Sequence, residues 1–157
     1  MARSYRNYDS VKVTNATTGS VKLFLQKNKN DYEQGREGKA PSNKYLLITR
    51  VRVEGSPDTD PSTVLKALKG ATLTLYGQSG DVRELGAAFF NAKEANPWVT
   101  PDAFNLDVPV AVPPSANYSV EINWQEGNAL PDGATAHIYV VVEGLELSPE
   151  EYRKMVS

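Results

Sequence analysis

Apolar side chains recur at every second position along much of this chain, the period of strands with one buried face. Val11, Val13, Val21, Leu23 and Leu25 keep to odd positions on both sides of the Asn15–Gly19 turn segment, which reads as a hairpin or a bent strand pair. Tyr45–Val53 is the next strand, its outer half placing Arg50 and Arg52 on one face and Val51 and Val53 on the other. Ala71–Tyr76 alternates again, and Gly77-Gln-Ser-Gly80 turns it toward Val82–Gly86 as a second hairpin. Between Ala87 and Val112 the alternation breaks up, with Phe89, Phe90, Trp98 and Phe104 set among prolines. Pro109, Pro113 and Pro114 confine Asp107–Val112 to an edge strand at best. Asn117–Trp124 and Ala134–Leu147, joined by a polar loop bearing Gly and Pro, carry the strongest strand character in the chain.

Two short helices interrupt this pattern. Asp60 as N-cap, Pro61 at the first helical position, Val64, Leu65 and Leu68 on one face and Gly70 just past the end predict a helix over 60–70. Ser148 as N-cap, Pro149 at the first position and Glu151 closing a capping box predict another at the C-terminus, as a docked tail. About eight strand candidates with only two helices make an all-β class, a two-sheet sandwich best fitted by a single jelly roll. The predicted organisation is an N-terminal arm over residues 1–10, a β-sandwich over 11–147, and a short helical tail over 148–157.

Composition narrows the function classes. At 157 residues the chain suits one domain with one sizeable core. With no cysteine, a disulfide framework and a thiolate metal site are both excluded. Seventeen basic and nineteen acidic side chains leave a formal charge of −2, so no global field draws nucleic acid or an anionic membrane. The polar, basic N-terminus has no apolar segment behind it and no apolar run spans a bilayer, so neither export by a signal peptide nor membrane insertion is expected.

Candidate chemistry is sparse. The one histidine, His137, sits inside a strand pattern, and a histidine-rich metal centre needs several imidazoles converging on one ion. Asp58-Thr-Asp60 superficially resembles a phosphotransfer loop, but Asp60 is better explained as a helix cap. No phosphate-binding loop, nucleophile elbow or triad is present. The expectation is therefore a non-enzyme with no catalytic residue, cofactor or metal, and no small-molecule substrate.

Contact chemistry is easier to place. The stretch Gln26–Asn43 holds no Val, Ile, Leu or Phe and reads as a long exposed loop carrying Lys27, Lys29, Tyr32 and Arg36. Arg3, Tyr5, Arg6 and Tyr8 form either a short arm able to stack on a neighbouring chain or on nucleic acid, or a tail that pairs with the chain's own sheet. With Trp98, these are the candidate assembly contacts. A second reading takes Trp98, Trp124 and Tyr118 as a platform on which a sugar ring could stack, the alternative to core packing.

The pattern Val112-Pro-Pro-Ser-Ala-Asn-Tyr-Ser-Val-Glu-Ile-Asn-Trp124, followed by Asp132–Pro149, resembles the closing strands of small single jelly-roll capsid proteins of tailless icosahedral bacteriophages. The resemblance implies a jelly roll whose loops and terminal arms make protein–protein contacts, with itself or with other virion proteins, and no cofactor. It implies a capsid or minor or decoration subunit located in the virion. The alternative is a carbohydrate- or receptor-binding sandwich module.

Overall fold

The computed structural model describes residues 2–25, 35–77, 82–84 and 103–156. They form eight strands and two helices: β1 (Arg3–Thr14), β2 (Gly19–Leu23), β3 (Tyr45–Gly55), α1 (Pro61–Leu68), β4 (Thr72–Tyr76), β5 (Val82–Glu84), β6 (Ala103–Val112), β7 (Ser119–Trp124), β8 (Thr135–Leu147) and α2 (Pro149–Val156). One sheet has the order β1-β8-β3-β6 and the other β2-β7-β4-β5, with every pairing antiparallel. Successive strands change sheet at every step except β4 to β5. That winding is a jelly roll, as the sequence predicts.

The inner faces follow the period-2 rule. Leu46, Ile48, Val51 and Val53 of β3, Ala136, Ile138, Val140 and Val142 of β8, and Val120, Ile122 and Trp124 of β7 share one buried cluster with Leu73 and Leu75 of β4. Val11 and Val13 face Val21 and Leu23 across that core. These four therefore do not belong to a hairpin: β1 pairs with β8 and β2 with β7. Both strands present odd positions because they approach one core from opposite sheets, a pattern that mimics a hairpin in the sequence. The β4–β5 hairpin and the edge position of β6 agree with expectation.

The N-terminus departs from the predicted arm. Residues from Arg3 onward are the first strand, each paired in register with β8 from Arg3↔Glu146 to Thr14↔Thr135. The polar inward positions Asn7 and Asp9 disguise the alternation, yet both are buried.

Each helix closes one part of the sandwich. The Asp60 side chain accepts from Ser62 N at the start of α1, and Ala67 and Leu68 enter the core. Gly55 leaves room for Val64, since a Cβ there would lie 2.6 Å from its methyl group. At α2 the capping box forms both ways, Ser148 N donating to Glu151 and Glu151 N to Ser148 Oγ. The Ser148 amide, its first cause, lowers the Glu151 pKa to about 2. The helix has no buried residue and docks through Tyr152, which stacks on Tyr45 at 4.0 Å between ring centres.

A bulge sets the shape of the β1-β8-β3-β6 sheet. Against β8, Ile48 pairs with Gly144 and Arg50 with Glu143, so Thr49 is the extra residue. Against β6, Ile48 pairs with Val110 and Arg50 with Asn105, so the segment Leu106–Pro109 stands opposite Thr49 alone. Gly144 lies where a side chain would run into the Leu47 carbonyl.

Candidate assembly surfaces

The proposed contact residues separate into three groups once placed. Lys27, Lys29, Tyr32 and Trp98 lie outside the described residues. Tyr5, Tyr118 and Trp124 are core, at 5%, 2% and 0% exposure. Arg3, Arg6, Tyr8 and Arg36 are at the surface.

The buried aromatics are held by polar bonds as well as packing. Trp124 Nε1 donates to Ala67 O at 2.7 Å, tying β7 to α1. Tyr5 and Tyr118 share a hydroxyl–hydroxyl bond of 2.7 Å, and Tyr118 also receives Asn7 Nδ2 at 3.1 Å. Burial, the leading cause, raises both phenols above their ordinary value, Tyr118 well above it. With their ring faces enclosed, Trp124 and Tyr118 offer no stacking platform for a sugar. Sequence alone could not separate them from surface aromatics, because inward and outward positions both tolerate large rings.

Asn7 organises the return of the predicted loop. Its side-chain amide pairs with both backbone groups of residue 36, Nδ2 donating to Arg36 O and Oδ1 accepting from Arg36 N, each at 2.8 Å. The Arg36 guanidinium lies 5.2 Å over the Tyr5 ring and donates to Arg6 O at 3.1 Å. The segment from Gly38 to Ala40 then docks by backbone bonds: Gly38 N to Phe24 O, Tyr118 N to Gly38 O and Ala40 N to Ala116 O. Gly38 and Ala40 are buried. Part of the expected exposed loop is thus structural, because backbone pairing substitutes for the apolar side chains it lacks.

Further bonds occupy part of the free edge of β1. Tyr8 N donates to Asn7 Oδ1 and Ser10 N to Asp9 Oδ1; Tyr8 O accepts from Gly35 N; Thr14 N donates to Thr17 Oγ1. Asp9 also accepts from Phe24 N at 2.7 Å through its other oxygen, fixing this left-handed residue just past the end of β2. An unpaired strand edge otherwise invites another chain. At the opposite edge, β6 carries Pro109, which lacks a donor, and the excursion that exposes 64% of Val108. Both edges of this sheet are thereby blunted.

Its outer face is different in character. Arg6 faces Glu143 in register, and Glu143 receives Arg52 Nε at 2.5 Å while Arg52 Nη1 meets Glu54 at 3.0 Å. Arg6 Nη2 lies 3.7 Å from the second Glu143 oxygen. Burial, the largest single effect, pulls the Arg52 pKa down, but the hydrogen bonds and charges of Glu143 and Glu54 together leave it raised. Beside this row, Tyr8 and Tyr139 approach at 6.2 Å between ring centres, and Arg50 Nε is buried with no hydrogen-bond partner among the described residues.

A cleft of about 490 Å³ opens at one end of the other sheet, lined by Leu25, Glu37, Tyr76, Asn117, Tyr118 and Ser119 among others. Tyr76 donates to Glu121 at 3.4 Å, and Lys22 sits 5.6 Å from its ring centre. Sequence reasoning passed over Tyr76, since nothing in the alternation of β4 distinguishes a rim residue. Among the described residues, no acid or imidazole cluster could hold a metal ion, and no helix is long and apolar enough to cross a membrane.

No protein-family profile and no curated protein matches the sequence. Among solved structures the fold is similar to the crystal structure of FlhE, with 12% identity, 91% of this chain and 96% of that chain covered, and a TM-score of 0.44. It is also similar to a chain of the cyanophage Pam1 capsid asymmetric unit, with 12% identity, 92% and 85% coverage and a TM-score of 0.46. A third is a chain of infectious bursal disease virus, Gx strain, with 12% identity, 98% of this chain and 43% of that chain covered, and a TM-score of 0.23.

Proposed function

We propose that this chain is a virion structural protein of a bacteriophage, a capsid or decoration subunit that acts by protein–protein association and carries no catalytic site. The observation that carries the reading is the strand order. A jelly roll with the sheets β1-β8-β3-β6 and β2-β7-β4-β5 is an architecture that viral capsid domains use. The residues that resemble phage capsid closing strands form β7 and β8, an inner strand of each sheet.

The test is native mass by light scattering over a series of protein and salt concentrations. Discrete oligomers or shell-like particles are expected. A strict monomer throughout the series overturns self-assembly.

The cleft beside Tyr76 favours a second reading, a carbohydrate- or receptor-binding module. An aromatic ring flanked by Glu37, Asn117 and Ser119 supplies the apolar face and hydrogen-bonding groups that a sugar requires. Calorimetric titration with a glycan panel tests it, and loss of any detected binding on Asn117→Ala would assign the ligand to this cleft.

A further inference from the structure

We infer that the outer face of the β1-β8-β3-β6 sheet is a two-fold contact between copies of this chain, seated on the row Glu54, Arg52, Glu143, Arg6. The inference rests on the assembly reading above and specifies which surface associates. The row crosses three strands, from β3 over β8 to β1, and its charges alternate in sign.

An alternating row with an even number of members has a property that a random charged surface lacks. Read backwards, every sign is inverted. A two-fold axis lying in the contact plane, between Arg52 and Glu143, therefore sets Glu54 against the partner copy's arginine at position 6. It sets Arg52 against the partner copy's glutamate at position 143. Isologous interfaces demand such self-complementarity, and matched potentials steer association and fix its register.

Three further observations direct association to this face. Its edges are blunted against strand addition, β1 by side-chain bonds to the Tyr8, Ser10 and Thr14 amides and β6 by Pro109 and the excursion at Val108. The residues beside the row are Tyr8, Tyr139 and Arg50, and tyrosine and arginine are enriched where protein contacts concentrate their binding energy. The middle of the row is already partly withdrawn from water, with the Arg52 and Glu143 side chains 22% and 23% exposed, while its ends stand out at 65% for Arg6 and 45% for Glu54. A second copy would cover a surface whose central ion pair, Arg52–Glu143, is already formed, and would give each exposed end a second partner across the axis.

The ends also supply the test. Within one chain Arg6 pairs with Glu143 and Glu54 with Arg52, on strands separated by β8. Energetic coupling between Arg6 and Glu54 then reports contact across copies. Sedimentation velocity over a concentration series would compare wild type, Arg6→Glu, Glu54→Lys and the double variant, with circular dichroism confirming that each folds. Each single reversal should weaken the dimer by about tenfold or more, and the double variant should regain most of that loss.

Oligomers indifferent to either reversal, or a double variant weakened by the sum of the singles, would overturn this surface and leave the assembly reading standing. A wild type that stays monomeric at every concentration overturns both.

Discussion

At the scale of single residues, the Tyr5–Tyr118–Asn7 cluster shows how polar side chains can serve a core. Two phenols and an amide satisfy one another there, and burial holds both phenols protonated above their ordinary value of 10.0. Since the folded protein binds those protons more tightly than the unfolded chain, their contribution is fully present below pH 10. It falls as pH rises through 10 toward the folded values. Tyr118→Phe should cost about 1–3 kcal/mol at neutral pH, because it leaves Tyr5 and Asn7 short of a partner. It should also flatten the alkaline decline, a result that urea unfolding between pH 7 and about 11 would reveal. An unchanged pH slope would show that the cluster does not govern it. Composition made these tyrosines visible, but their enclosure was not legible. Their partners are 111 and 113 positions away, and no local pattern announces such a distance.

At the scale of elements, local signals were most faithful where capping and alternation agree. Asp60-Pro61 opens α1, Ser148 and Glu151 close the box at α2, and β3, β4, β7 and β8 occupy the predicted runs. The first strand was harder to read because Asn7 and Asp9 occupy inward positions that normally take apolar residues. The bulge at Thr49 was also hidden, since it depends on which strands become neighbours. Gly144 sits against that bulge with no space for a methyl group beside the Leu47 carbonyl. Gly144→Ala should therefore force β3 and β8 apart and cost about 3 kcal/mol. Denaturant titration would register this as a lowered midpoint, and a variant as stable as wild type would mean that the bulge can yield.

At the scale of the whole molecule, alternation and helix caps were enough to predict a two-sheet sandwich, whereas the order of strands within the sheets arises from long-range pairing. Assignment of surface was less legible still. The segment read as an arm is the first strand of a sheet, and Trp124 and Tyr118, two of the three aromatics offered as a sugar platform, pack in the core. The finished edge of β1 has a consequence for the protein as a colloid. High protein concentration is the condition under which exposed strands nucleate cross-β fibrils. By turning the Tyr8, Ser10 and Thr14 amides onto Asn7, Asp9 and Thr17, the chain interrupts the template that this edge would offer. Asn7→Val, which removes one of those acceptors and the tether to residue 36, should therefore bind thioflavin progressively at concentrations where wild type stays clear. Fluorescence that remains flat in a folded Asn7→Val sample would show that solubility is protected by some other feature. Rising fluorescence would mean that the polar residues that obscure β1 in the sequence mark where crowding is resisted.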